Sequence, residues 1–342
     1  MKRSLLALAA LTALSGVAYA QSSVTLSGSV DAGVRRVGTA TASDWQLGGS
    51  QSGYNNFTIS GREDLGGGMA AFFSLNHRFR INDGTVNSAG ATFWRNTAVG
   101  LAGGFGDVRL GRILMPLQDM NGGFDPFATG TVGSVHTGGM AATIRANNAI
   151  YYRSPTMGGL SLHAAIAAGE GQLQAETANN FGQAGPALGA TSERPMGFNL
   201  RYAAGPLNVG VAYDKNAADL KTTGVYGAYD FGAFRLLGQF EKGDDFRGAV
   251  REDSKNLSIG VTAPMGPVLL RAGYVRVDSN LNTCLNGGVG TRGCDGSKFG
   301  FGGDYSLSKR TNLYATIGKS SGERFTTAQK KAAFDLGVTH RF

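Results

Sequence analysis

The final ten residues, AFDLGVTHRF, place Phe334, Leu336, Val338 and Phe342 on one face and Asp335, Gly337, Thr339 and Arg341 on the other. A period of two marks a strand that is apolar on one side and wet on the other. At about 3.3 Å per residue, ten residues cross a hydrocarbon layer at a tilt. The same alternation recurs upstream. Val24, Leu26, Val30, Ala32 and Val34 oppose Thr25, Ser27, Ser29, Asp31 and Arg35, and Leu257, Ile259, Val261 and Ala263 oppose Ser258, Gly260 and Thr262. Read along the whole chain, the pattern predicts strands at 24–36, 54–64, 67–80, 92–101, 105–112, 147–154, 159–168 and 196–204, then at 206–214, 222–231, 233–242, 255–263, 267–277, 297–306, 311–319 and 332–342. That is an even set of sixteen, with the weakest alternation in Thr92 to Leu101 and Thr311 to Lys319.

The connections add a second regularity. Tight ones such as Asp64-Leu65-Gly66-Gly67, Gly103-Gly104, Ala204-Gly205-Pro206 and Phe231-Gly232-Ala233 alternate with long ones at 37–53, 81–91, 113–146, 169–195, 215–221, 243–254, 278–296 and 320–331. Short turns at one end and long loops at the other are the asymmetry of an outer-membrane β-barrel, so the expected fold is all-β: a 16-stranded antiparallel transmembrane barrel. Aromatics near the strand ends, Trp94, Tyr202, Tyr213, Tyr229, Phe231, Tyr274, Tyr305 and Phe342, fit girdles at the two interfaces.

Composition agrees. Glycine makes up 54 of 342 residues with only 8 prolines, and after the leader no segment has the 18 consecutive apolar residues of a spanning helix. The start, Met1-Lys2-Arg3 followed by the apolar stretch Leu5 to Leu14 and Ala18-Tyr19-Ala20, reads as a secretory signal peptide over 1–20, leaving the barrel as 21–342. Removing Lys2 and Arg3 takes the net charge from +8 to +6, so the exported protein stays basic. Cys284 and Cys294, in a Gly-rich exported loop, are expected to form a disulfide rather than a metal site. His77, His136, His163 and His340 lack metal-ligand spacing, and no nucleophile elbow or phosphate-binding loop occurs in context. The expectation is therefore no enzyme, no cofactor and no metal. Nucleic acid is not expected either, because no compact Lys/Arg cluster is interleaved with aromatics.

Several segments resemble the general trimeric porins of Gram-negative beta-proteobacteria, of the Neisseria, Bordetella and Comamonas type. They are VTLSGSVDAGV at 24–34, REDLGGG at 62–68, VGLAGGFGDVRLGR at 99–112, IRANN at 144–148, SLSKRTNLYA at 306–315 and the closing GVTHRF. The resemblance implies a homotrimer in outer-membrane lipid and lipopolysaccharide. It also implies that the third loop, 113–146, folds into the pore, and that Phe342 is the signal read by the barrel-assembly machinery. Where such relatives often carry an arginine on the upper second strand, this chain has Asn55-Asn56.

A water-filled pore selects solutes by its width and by the field at its narrowest point. On the wall the expected constriction charges are Arg95 and Arg145, with Arg62 and Arg35 secondary, and on the folded loop Asp119 and Asp125. Short acids in Gly-rich loops also bond nearby backbone, which is the competing role for the two aspartates. The expected function is passive diffusion of small hydrophilic solutes, with anions preferred. A substrate-specific channel for organic acids or phosphate, and a non-conducting adhesin or anchor barrel, are the alternatives.

Overall fold

The structure is a computed structural model and describes residues 23–38, 43–49, 54–86, 93–128, 130–135, 144–168, 193–217, 219–247, 250–280, 295–325 and 327–342. The expected signal peptide and the Cys284–Cys294 loop lie outside these residues.

The strands are β1 (Ser23–Gly38), β2 (Ser43–Gly49), β3 (Asn56–Gly66), β4 (Met69–Arg78), β5 (Trp94–Gly103) and β6 (Gly106–Leu114). A helix, α1 (Pro116–Gly123), follows. Then come β7 (Arg145–Arg153), β8 (Leu160–Ala167), β9 (Met196–Ala204), β10 (Leu207–Lys215), β11 (Lys221–Asp230) and β12 (Arg235–Arg247). The remainder are β13 (Val250–Met265), β14 (Val268–Ser279), β15 (Gly296–Ser306), β16 (Thr311–Gly322) and β17 (Ala333–Arg341). Each strand from β3 onward pairs antiparallel with the next, and β17 returns to β1, with Ser29 opposite Arg341 and Arg36 opposite Phe334. The sheet is thereby closed on itself.

Sixteen positions around the barrel are filled by seventeen strands, because β2 and β3 share one. β1 pairs with β3 from Ser23 to Ser29 and with β2 from Ala32 to Gly38. The stretch 37–53, expected to be loop, thus contains a strand of its own. A second correction concerns 243–254. There β12 and β13 run on as a paired hairpin to Arg247 opposite Val250, so the backbone stays in the ladder where a loop was expected.

The faces are inverted relative to a soluble protein. Leu26, Ile259 and Leu336 point outward with 63%, 58% and 62% of their surface exposed, whereas Asp31, Asp214 and Glu241 point inward and are fully covered. An apolar belt of this extent is stable only against lipid. Among the expected girdle residues, Tyr202, Tyr229, Phe231, Tyr274, Tyr305 and Phe342 lie exposed on this outer face. At the β3–β4 turn Gly66, Gly67 and Gly68 all have positive φ, and the Gly66 amide donates to Asp64 Oδ1 at 2.8 Å. Residues with a Cβ are strained in that conformation, which is why glycines occupy the tight end.

Candidate functional site

A sixteen-strand closure is wide enough to enclose an aqueous interior. What narrows it here is the connection between β6 and β7. Pro116 opens α1 with its φ already set for a helix, and the Gln118 and Asp119 amides donate to the Met115 carbonyl. The helix buries Leu117 and Met120, with Phe124 just beyond it, against the inward side chains Ala212, Tyr226, Ala228 and Leu237 of β10–β12. Polar anchors fix it in place. Asn199 Nδ2 donates to the Pro116 carbonyl at 2.8 Å and Asn121 Nδ2 to Glu241 Oε1 at 2.5 Å. Glu241 also accepts from the Tyr226 hydroxyl at 2.7 Å and Asn256 Nδ2 at 3.2 Å, so a fully buried carboxylate has three donors.

Beyond the helix the chain continues around the inner wall. The Pro126 carbonyl accepts from Arg271 Nη1 at 2.5 Å, and Arg271 is ion-paired with Asp304. The Val132 amide donates to Asp335 Oδ2 at 2.8 Å and the Gly133 amide to Thr316 Oγ1 at 3.2 Å. The backbone lies so close here that a Cβ on Gly300 would stand 1.8 Å from the Gly133 carbonyl oxygen, and one on Gly318 2.0 Å from that of Val132. Glycine on the wall is what lets the loop lie flat.

The described part of the loop therefore covers the inner face from β8 to β17, with Met115 also packed against Ala149 and Tyr151 of β7, and leaves β1 and β3–β6 bare. That bare wall is basic. Arg62, Arg109 and Arg153 stand on its inward face, with Arg78 higher on β4, stacked 3.5 Å over the Tyr54 ring. Its inward carboxylates are already engaged. Asp31 accepts from the Tyr314 hydroxyl at 3.0 Å and Thr339 Oγ1 at 2.6 Å, while Asp107 bonds Arg109 and Arg153.

The four arginines expected to form the constriction fall into three groups. Arg145 and Arg95 are neighbours at the upper wall. Arg145 Nε donates to Asn96 Oδ1 at 2.6 Å, and Arg95 is the extra residue of a bulge where β5 shifts register against β4. Arg112, not singled out from the sequence, joins them by donating from Nε to the Arg95 carbonyl at 3.2 Å and from Nη1 to Asn147 Oδ1 at 2.6 Å. Arg62 lies lower, four residues before the tight turn at Gly66. Arg35 is on the far edge of the bare wall, paired across the barrel seam with Asp335.

The two aspartates of the loop part company. Asp119 is half-exposed on α1, with Oδ2 3.6 Å from His163 Nδ1. Asp125 is buried, and its carboxylate accepts from Ser134 Oγ at 2.5 Å and the amides of Phe127 and Val135 at 3.0 and 3.4 Å. Asp125 holds the loop's own shape. Arg109, Arg153 and Asp107 were missed as a group. The period of two in Gly106-Asp107-Val108-Arg109 already put two of them on one face, but nothing local ties Arg153 to them.

Residues 7–324 match the Gram-negative porin family. The chain is similar over its whole length to outer membrane porin protein 32 of Delftia acidovorans, 34% identical over 99% of this chain and 95% of that one. It is likewise similar to an outer membrane porin protein of Bordetella pertussis, 29% identical over all of both chains. Among solved structures, the anion-selective porin from Comamonas acidovorans superposes with a TM-score of 0.76 at 25% identity, covering 94% of this chain and 100% of that one. An outer membrane protein of Vibrio cholerae shares the fold at 15% identity, with a TM-score of 0.67 and coverage of 94% of this chain and 98% of the other. With a closed barrel, an apolar outer belt, a polar interior narrowed by the β6–β7 connection and a family match across nearly its full length, this chain belongs to the Gram-negative porins, the water-filled diffusion channels of the outer membrane.

Proposed function

We propose that this porin prefers anions, and that its selectivity arises between the basic wall of β3–β7 and the half-exposed Asp119 on α1. The observation that carries the reading is the charge inventory of the uncovered wall. Its arginines outnumber its inward carboxylates: Arg62 is exposed, while Asp31 is taken up by hydrogen bonds and Asp107 by Arg109 and Arg153 together. Arginine keeps its charge at every relevant pH, and low-dielectric walls concentrate the potential of such a row. Asp119, on α1 beside His163, adds a negative charge that gives the field a transverse component and orients water and dipolar solutes. Arg95, Arg145 and Arg62 contribute on the wall side, with Arg35 at its edge. The anion selectivity of the Comamonas acidovorans structure supports the same reading.

The reading includes a homotrimer. Phe57, His77, Phe93 and Trp94 cluster on the outside of β3–β5, with Trp94 edge-on to Phe93 at 5.0 Å and His77 stacked on Phe93 at 4.0 Å. A histidine among rings suits a contact between subunits better than a lipid face.

The test is the reversal potential of the reconstituted protein in a KCl gradient. Anion preference is expected, and cation preference would overturn the reading. Arg145→Ala is expected to weaken the preference with little loss of assembled protein; a loss of assembly would mean that Arg145 serves structure instead.

A further inference from the structure

The short-turn end of the bare wall holds a cavity of about 360 Å³ that the constriction does not account for. Its key residues follow from register. Arg62 faces Phe72, Phe72 faces Gly100, Gly100 faces Arg109 and Arg109 faces Tyr151, each on the next strand from β3 to β7. Gly100 matters because a Cβ there would stand 2.6 Å from Phe72 Cζ. Without it the Phe72 ring lies across β5 and ends beside Arg109, whose Cζ is 5.7 Å from the Phe72 centroid and 5.5 Å from that of Tyr151.

Asp107 ties the other two cations down. It accepts from Arg109 Nε at 2.6 Å and from Arg153 Nε at 2.7 Å. Arg62, which lines the same cavity, makes no ion pair among the described residues. Three guanidiniums against one carboxylate leave an excess of 3 − 1 = +2. Every guanidinium carries five donors in a planar fork suited to a carboxylate, and Asp107 uses only part of this capacity. An inward phenylalanine is out of place in a lumen built only to pass hydrated ions, since it offers them nothing. Next to a ring of cations it offers an apolar body a surface to cover.

We propose that this cavity is a solute-binding site for small organic anions that carry a carboxylate on an aromatic body. The carboxylate is held by Arg62, the cation of the cavity that Asp107 does not hold, and the body lies on Phe72. The proposal rests on the anion-channel reading above and adds to it a substrate class and a place. Inorganic anions feel only the field, which salt screens over about 10 Å at 0.1 M. An aryl carboxylate also removes apolar surface from water, a gain that survives salt.

The experiment uses the full-length protein reconstituted in planar bilayers. The KCl reversal potential is measured first, and the chloride conductance is then titrated with sodium benzoate, acetate and sulfate added on the short-turn side. Benzoate is expected to reduce the conductance saturably, at concentrations about fivefold below those needed with acetate. Phe72→Ser is expected to remove this advantage, and Arg62→Gln to raise the half-inhibiting concentration of benzoate by about fivefold or more. Arg62 is exposed and near a turn, so Arg62→Gln carries the test if Phe72→Ser fails to insert. Cation preference would overturn the anion reading, whatever benzoate does. Anion preference with unsaturable inhibition, with acetate equal to benzoate, or with inhibition unchanged in Arg62→Gln would overturn the site alone.

Discussion

The side-chain amide of Asn55 acts as a piece of backbone for Asp31: Asn55 Oδ1 accepts from the Asp31 amide at 2.5 Å and Asn55 Nδ2 donates to the Asp31 carbonyl at 2.9 Å. Asp31 sits at the gap in β1 between its pairing with β3, which stops at Ser29, and its pairing with β2, which starts at Ala32. Both residues are fully buried, so the ladder is completed by a side chain where no strand reaches. Asn55→Ala is expected to leave two buried backbone groups unmet, at about 1–3 kcal/mol each. Thermal unfolding of the detergent-solubilised barrel should show a lower midpoint.

Glu241 is the anchor of α1. Glu241→Ala removes the acceptor of Asn121, Tyr226 and Asn256 at once, where hydrogen bonds to a charged group contribute about 1.5–3 kcal/mol apiece. Amide exchange across 116–123 should speed up while the strand amides stay protected. Unchanged exchange in the helix would assign its anchoring to Leu117 and Met120 instead.

Gly300 and Gly318 set how close the loop lies to the wall. Gly300→Val is expected to push the backbone at Gly133 off β15 and into the water-filled space, lowering single-channel conductance in a barrel that still inserts. A conductance equal to that of the unsubstituted channel would show that the loop moves along the wall rather than away from it.

Selectivity from fixed lumenal charges must depend on salt. The Debye length falls from about 10 Å at 0.1 M to about 3 Å at 1 M. The chloride-to-potassium permeability ratio should therefore fall as a fixed-ratio KCl gradient is raised through that range. Asp119→Asn should raise the ratio at every concentration, because it removes a half-exposed carboxylate from α1.

Phe342 closes the seam. Its amide donates to the Gly28 carbonyl at 3.0 Å and its carbonyl accepts from the Gly28 amide at 2.9 Å. Its ring lies where a Cβ on Gly28 would be, 2.7 Å from Cζ. Deleting Phe342 is expected to lower the yield of membrane-inserted protein more than the conductance of each inserted channel. Normal yield from the truncated chain would remove the residue from the assembly step.

Much of this molecule is legible without coordinates. The alternation through AFDLGVTHRF assigned Leu336 to the outer face and Asp335 to the inner, and the structure places both so. Alternation failed where strand identity depends on a neighbour. Ser43–Gly49 is a strand because β1 runs on past the end of β3 and offers its edge, not because of its own residues. Among the charges, period and composition treat Asp119 and Asp125 alike. Only the fold of the loop brings Ser134 and the Val135 amide to Asp125 and leaves Asp119 half-exposed.

The barrel and the set of inward-facing residues follow from the two-residue repeat of an extended backbone, a local property written at every position. Which inward residues meet is set by long-range folding. Asn121 reaches Glu241 across 120 positions and Arg153 reaches Asp107 across 46. The route of the loop's described residues over Gly300 and Gly318 settles which part of the wall they cover. Contacts at such separations depend on the curvature of the whole barrel, and no local pattern carries them.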